Sequence, residues 1–321
     1  MLERYPVCEA SAALLVPCGE EGTCVWVADN EHDRDLFAYD VEKDGTLVPR
    51  VPWQISLGKA RVDDIEALAR DGDGVLAFGS HGRDSKCRLR EERAGVARVR
   101  LRDLATELLT SGKHWRRRLE HCDGELIVHT TDPARRAQRS AVCDAIVAAD
   151  RASEKVAGSE DECPGDAFNI EGAAAVPGEN GTSRIWIGLR APLVERRAVL
   201  LRLVPEIVRD GNIAFDAVAT VDLGGRGIRE LSYADGFVWG IAGSVEDSDR
   251  PSVLWRMPAA LLRDGATILR VQTATETLPP TAEGLVIQPE ARRAIVLADG
   301  DTDKKKKRCV VPARQLVVPL F

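Results

Sequence analysis

The chain has 321 residues, 44% of them hydrophobic and 30% charged, which is enough apolar material for a core and too much for a disordered polymer. Fifty-one acidic against 44 basic residues give a net charge of −7, so no basic field exists to hold a polyanion and no nucleic-acid partner is expected. No stretch approaches the roughly 20 apolar residues that span a bilayer, so no membrane role is expected either.

Met1 to Ala10 has neither a basic start nor a long apolar run, which reads as cytoplasmic, with a periplasmic or secreted protein as the alternative if a signal peptide was removed. The first element then opens on an acidic residue, Glu9, in CEASAALLV. A turn, CGEEGTC, follows; Cys18 and Cys24 are spaced to close a small disulfide loop across a hairpin. A second strand, VWVADNEHD, carries the small residue Ala28 before a polar cluster, and LFAYDV supplies a third strand. The same order returns with Glu66 in DIEALAR, Gly79 in VLAFGSHGRD and the strand GVARVRL.

The repeat then pauses. Leu101, Leu104, Leu108 and Leu109, and later Ala134, Ala137, Ala141, Ala145, Ala148 and Ala152, recur at the three- and four-residue steps of amphipathic helices, while GELIVHT between them reads as a strand. Three further units follow. Glu171 in NIEGAAAV leads to Gly188 in IWIGLRAP and to AVLLRLV; Glu230 in IRELSYA leads to Ala242 in VWGIAGSVED and to SVLWRM. The last has Glu283 in AEGLVI and Ala298 in IVLADGDTD, with RCVVPARQLVVPLF for its outer strands.

Strand, turn, strand, loop, strand in five successive units predicts an all-β fold, a β-propeller of five blades with six as the alternative. The whole chain, 1–321, reads as one propeller domain carrying a helical insertion at 102–165. Trp26, Trp186 and Trp239 recur in the second strands and are expected to pack between blades. No GxGxxG, GxxxxGK[ST], GxSxG or HExxH is present, and no CxxC pair or His spacing suggests zinc, so nucleotide-loop folds and serine, cysteine or zinc chemistry have no support.

The start of a first strand and the end of a second lie at one end of an antiparallel hairpin, so the repeated acids and the polar clusters share one face. Glu66, Glu171, Glu230 and Glu283 are expected to converge near the axis, with Glu9 completing the ring. Around them would stand Asn30, His32, His81, Arg83, Arg190, Arg229, Ser244, Asp299 and Asp301. Close carboxylates must be neutralised, because repulsion and desolvation both disfavour the ionised form. One solution is structural: each Glu accepts backbone hydrogen bonds or pairs with an Arg on the next blade. The other is Ca²⁺ or another divalent cation held by Glu66, Glu171, Glu230 and Glu283. Arg190, Arg229, His81 and Asn30 are then the candidate residues for a small anionic ligand, and the polar face also suits a protein partner. KKKKR at 304–308 reads as a solvated loop, and HWRRRLEH at 114–121 as a basic helical face resting on acidic neighbours.

The segments NIEGAAAV, IWIGLRAPLVERRAVLLRL, DLGGRGIRELSYADGFVWGIAGSVEDSDRPSVLWRM and AEGLVI resemble a bacterial family named only as domain of unknown function 3616, over about residues 60–300. The resemblance implies a propeller-like fold and brings no activity with it. More distantly, acids opening the inner strands are similar to those of calcium-dependent β-propeller phytases and esterase-like relatives. That likeness implies the alternative function, a divalent-metal-dependent phosphoester or ester hydrolase, beside the primary expectation of a binding or scaffold propeller.

Overall fold

Each repeat folds into an antiparallel sheet whose strands follow chain order, and the third sheet gains one short parallel edge strand from the next unit. The computed structural model describes residues 7–19, 22–30, 32, 34–158, 163, 168–178, 182–209, 211–246, 248–303 and 308–321. The first sheet takes β1 (Ala10–Cys18), β2 (Gly22–Asp29), β3 (Asp35–Val41) and β4 (Leu47–Ser56); the second takes β5 (Ile65–Asp71), β6 (Gly74–Gly79), β7 (Gly95–Arg100) and β8 (Thr106–Ser111). Two helices, α1 (Trp115–Glu120) and α2 (Pro133–Val156), precede the third sheet of β9 (Asn169–Pro177), β10 (Ser183–Ala191), β11 (Ala198–Leu203) and β12 (Phe215–Val221), with the short α3 (Pro205–Arg209) between its last two strands. The fourth has β13 (Gly227–Ala234), β14 (Phe237–Gly243) and β15 (Ser252–Pro258). The two-residue β16 (Thr267–Ile268) runs parallel to β12, and β17 (Gln272–Leu278) completes the fourth sheet. The fifth has three strands, β18 (Ala282–Gln288), β19 (Arg293–Ala298) and β22 (Arg314–Pro319), with the hairpin β20 (Asp301–Asp303) and β21 (Arg308–Val311) placed before β22.

The first strands touch in a closed cycle, β1 to β5 to β9 to β13 to β18 and back to β1. Five sheets around a ring of inner strands make a five-bladed β-propeller, as the repeats predicted, and the six-bladed alternative falls away. The reason is visible in the core. Buried apolar side chains divide into five clusters, each formed by two adjacent blades. Trp26 sits between blades one and two, Trp186 between three and four, and Trp239 between four and five. A blade therefore cannot bury its faces alone, and the repeat is stable only when the ring closes.

Closure uses no exchanged strand, since among the described residues every strand of the first blade comes from the start of the chain. Instead, side chains and a disulfide join the two ends. Cys8 and Cys309 are bonded, with Cα atoms 5.5 Å apart and a sequence separation of 301 residues. Arg293 donates to the carbonyls of Lys43 and Glu42 at 2.8 and 3.2 Å, and Gln315 bonds both Gly45 and Leu47 at the β3–β4 turn. Gly45 has φ of 97°, and a Cβ there would meet Val317 and Arg293 within about 3.2 Å, so that turn requires glycine.

The segment between the second and third blades is helical in part. Asp132 caps α2 by accepting from the backbone of Ala134 and Arg135, Pro133 takes the first helical position, and the face bearing Val142, Cys143, Ile146 and Ala149 is buried. The leucines at 101, 104, 108 and 109 are not helical, contrary to their spacing. Leu104 has a φ of 56° within the β7–β8 turn, and Leu108 and Leu109 belong to β8. GELIVHT forms an irregular turn, with Gly124 at a φ of 101°, and isolated bridges from Ile127 to Asp123 and to Phe215 rather than a strand. Two disulfides, Cys122–Cys143 and Cys87–Cys163, tie this segment down, and Arg83 pairs with Asp150 at 2.6 Å. The basic helix α1 does rest on acids: Arg116 on Glu120 and Glu154, and Arg117 on Glu125. Lys304 to Lys307 lie outside the described residues.

Candidate functional site

At the start of each inner strand the ladder to the second strand skips one residue: Ser11 in β1, Glu66 in β5, Glu171 in β9, Arg229 in β13 and Glu283 in β18. A bulge re-aims the side chain of the residue it inserts. Five bulges in phase therefore present five side chains at one channel mouth, and all five are buried. The acid-based repeat placed Glu9 and Glu230 among them; the register puts Ser11 and Arg229 there instead.

That difference changes the electrostatics. Arg229 lies between two carboxylates, with Nε 2.8 Å from Glu171 Oε2 and Nη2 paired with Glu283 Oε1. Arg190, at the end of β10, reaches Glu171 Oε1 at 3.1 Å and donates from Nε to the Ser244 carbonyl at 3.2 Å. Asn169 also donates to Glu171, and Asn30 donates to Glu66, each at 2.9 Å. Glu66 is held well above the usual carboxylate range by burial, reinforced by the charges of Asp64 and Glu171.

Glu230 has a different task. Its carboxyl group accepts from the backbone N–H of Ala13 at 3.1 Å and of Leu231 at 2.8 Å, and burial raises its pKa strongly. Ala13 belongs to β1, which is not a ring neighbour of β13, so this side chain reaches across the ring of inner strands. Asp299, after β19, is pushed up to about 8, chiefly by burial, against the pull of Arg229. Four buried oxygens at this end have no hydrogen-bond partner: Asn30 Oδ1, Asn169 Oδ1, Asp299 Oδ1 and Glu171 Oε2, the last held only by its ion pair with Arg229. Unmet buried acceptors are costly, so they mark a place where a donor is wanted.

The other expected residues lie elsewhere or play backbone roles. His81 is buried edge-on against Trp115 at 4.8 Å, its Nδ1 is 2.8 Å from the Gly79 carbonyl, and burial lowers its pKa to about 4. It is a neutral ring packed under the insertion. Arg83 anchors α2, His32 contacts Phe37 edge-on, and Ser244 contributes its carbonyl. The side chain of Asp301 lies outside those described. Asn169 and Ser11 are residues that the sequence pattern missed, although Asn169 stands two positions before its Glu and shares its strand edge. Asp29, also missed, fixes the entry to β1 by accepting from Cys8 N at 2.7 Å. Among the described residues no group of three or more His, Cys, Asp or Glu side chains is arranged to hold a metal ion.

The pKa shifts give stability a signed pH dependence. Folded Asp299 keeps its proton up to about pH 8, whereas its ordinary value is 3.8, so the folded state binds the extra proton between these limits and loses stability as pH rises through them. His81 acts oppositely: its folded value of about 4 lies below 6.5, and stability falls as pH drops through that window. Asp299→Asn is expected to flatten the decline between pH 5 and 8 by roughly 2 to 4 kcal/mol, discounted for the partial exposure of the side chain. Denaturant unfolding at each pH measures it; an unchanged slope would reject the assignment.

Similarity to solved structures is remote in sequence. A putative oxidoreductase (glucose dehydrogenase) from Thermus thermophilus is 13% identical, with 97% of this chain and 98% of that chain covered at a TM-score of 0.42. A xylan beta-1,4-xylosidase from Bacillus halodurans is 9% identical over 98% of this chain, which spans 53% of that one, at a TM-score of 0.42. The S. cerevisiae complex of dbp5 with nup159, gle1, IP6 and ADP is matched at 9% identity over 88% of this chain and 59% of that chain, at a TM-score of 0.32. Among curated proteins none matches in sequence. The family described as Protein of unknown function (DUF3616) matches residues 50–311, most of the chain, and the chain belongs to that family.

Proposed function

We propose that the channel mouth binds a small polar ligand through hydrogen bonds that the ligand donates. One observation carries this reading: the amide oxygens Asn30 Oδ1 and Asn169 Oδ1 are buried acceptors without hydrogen-bond partners beside ion pairs that hold both guanidinium groups. Both guanidinium groups are committed to carboxylates, so an anionic ligand would have to displace Glu171 or Glu283. Hydroxyl and ammonium groups meet no such competition.

Thermal unfolding with four separate probes, myo-inositol, ethanolamine, inorganic phosphate and Ca²⁺, tests this. Stabilisation by inositol or ethanolamine, lost in Asn30→Ala, is the expected result. A response to phosphate alone would support the anion-binding reading instead, and a response to Ca²⁺ alone would support the metal-dependent hydrolase. No response to inositol or ethanolamine rejects the proposal.

Four cysteine pairs, Cys8–Cys309, Cys18–Cys24, Cys87–Cys163 and Cys122–Cys143, take up all eight cysteines, a pattern of oxidising compartments. We read the chain as a periplasmic or secreted protein rather than a cytoplasmic one. No helix among the described residues is long and apolar enough to cross a membrane.

A further inference from the structure

The connection from the third to the fourth strand is short in the first two blades, residues 42–46 and 101–105, but in the fourth blade it runs over residues 259–271 and leaves its own sheet. There it lays β16 beside β12 and meets the start of α2. Asp264 anchors it: Oδ1 accepts from Val218 N at 3.0 Å, and Oδ2 pairs with Arg139 at 2.9 Å and Arg135 at 3.4 Å. Gln138 donates to the Ala266 carbonyl at 3.1 Å. Gly265 has a φ of 81°, and a Cβ there would lie 3.0 Å from Arg135 Cγ, so the close approach of the loop to α2 requires glycine. A loop fixed at this many points presents its remaining side chains on a rigid frame.

Those side chains repeat. Leu261, Leu262 and Arg263 return as Ile268, Leu269 and Arg270. In each triplet one apolar residue, Leu262 or Ile268, is buried in the core between blades three and four, while Leu261 is left 44% exposed and Leu269 65% exposed. The two exposed leucines and both arginines line one open cleft of about 800 Å³ against α2, within the size range of small-molecule sites, roughly 300 to 1,000 Å³. Neither Arg263 nor Arg270 has an ion-pair partner among the described residues. The acids of the cleft are engaged already: Asp264 holds the loop, and Asp132 caps α2 through the N–H groups of Ala134 and Arg135. In a chain of net charge −7 this leaves a local surplus of guanidinium beside exposed apolar surface. A carboxylate matches the guanidinium fork, and an alkyl chain removes leucine surface from water. We infer that the cleft between α2 and residues 261–270 is a binding site for an alkyl carboxylate, its head on Arg263 and Arg270 and its chain along Leu261 and Leu269.

Isothermal titration with decanoate, hexanoate and decyltrimethylammonium, each below its micelle concentration, tests it. Decanoate is expected to bind saturably with Kd below about 1 mM, and each of the other two at least about tenfold more weakly. Hexanoate tests the chain and decyltrimethylammonium tests the charge. Arg263→Gln combined with Arg270→Gln should weaken decanoate about tenfold or more and leave decyltrimethylammonium no weaker than before. Leu269→Ser should weaken decanoate about threefold or more. The three altered side chains are exposed, so both variants keep the fold. Absence of saturable decanoate binding, equal affinity for hexanoate or for decyltrimethylammonium, or unchanged decanoate affinity in either variant overturns the inference.

Discussion

Arg229→Met lowers the unfolding free energy by about 3 to 5 kcal/mol, the scale of breaking a buried ion pair from one side. The cost arises from what is left behind. Arg229 is the guanidinium between Glu171 and Glu283, and both carboxylates are buried. Without it Glu171 keeps Arg190 but Glu283 faces an uncompensated low-dielectric site, and protonation becomes its cheapest escape. The loss should therefore shrink as pH falls toward 5, a response that a simple packing defect would not show. Guanidinium unfolding at pH 8 and pH 5 reads both quantities. A loss below about 1 kcal/mol at pH 8 would mean that the ring is neutralised by something other than Arg229.

The second large effect concerns ring closure. Replacing Cys8 and Cys309 by serine is expected to lower stability by about 5 kcal/mol, because the bond constrains a loop of nearly the whole chain in the unfolded state. The sequence separation is 301 residues, against six for Cys18–Cys24, whose removal should cost only about 2 kcal/mol on the same reasoning. In a propeller without an exchanged strand the bond also holds the first blade to the last, so its loss should loosen β1 and β22 before the other blades. Hydrogen exchange shows this as selective loss of protection at the two terminal blades; uniform loss around the ring would contradict it.

The five blades were legible because each hairpin writes the same local pattern: an apolar run, a turn, and a second strand ending in a small residue. The one-residue offset at the mouth was not legible from the acids, since Glu9 and Glu230 imitate the repeat. The signal lay in the apolar residue immediately before each bulge. Ile65, Ile170, Ile228, Ala282 and Ala10 precede Glu66, Glu171, Arg229, Glu283 and Ser11, and alignment on those residues would have placed the arginine correctly. Leu101 to Leu109 misled for a related reason: a turn with a left-handed residue joined to a strand reproduces helical spacing. The alanine pattern of α2 did not, because a capped amphipathic helix of 24 residues sustains its period. Among the cysteines only Cys18 and Cys24 were readable as a pair, being neighbours across one hairpin. The other three pairs, 21, 76 and 301 residues apart, depend on how blades and insertion assemble.

A neutral version of the mouth gives the most direct test that its acid is balanced from within the chain. Replacing Glu283 by Gln together with Arg229 by Met removes one charge of each sign while keeping shape, and leaves Glu171 paired with Arg190. Equilibrium unfolding at pH 8 is predicted to return this double variant to within about 1 kcal/mol of the parent, recovering most of the loss in Arg229→Met. A double variant as unstable as Arg229→Met, or less stable, would contradict the account.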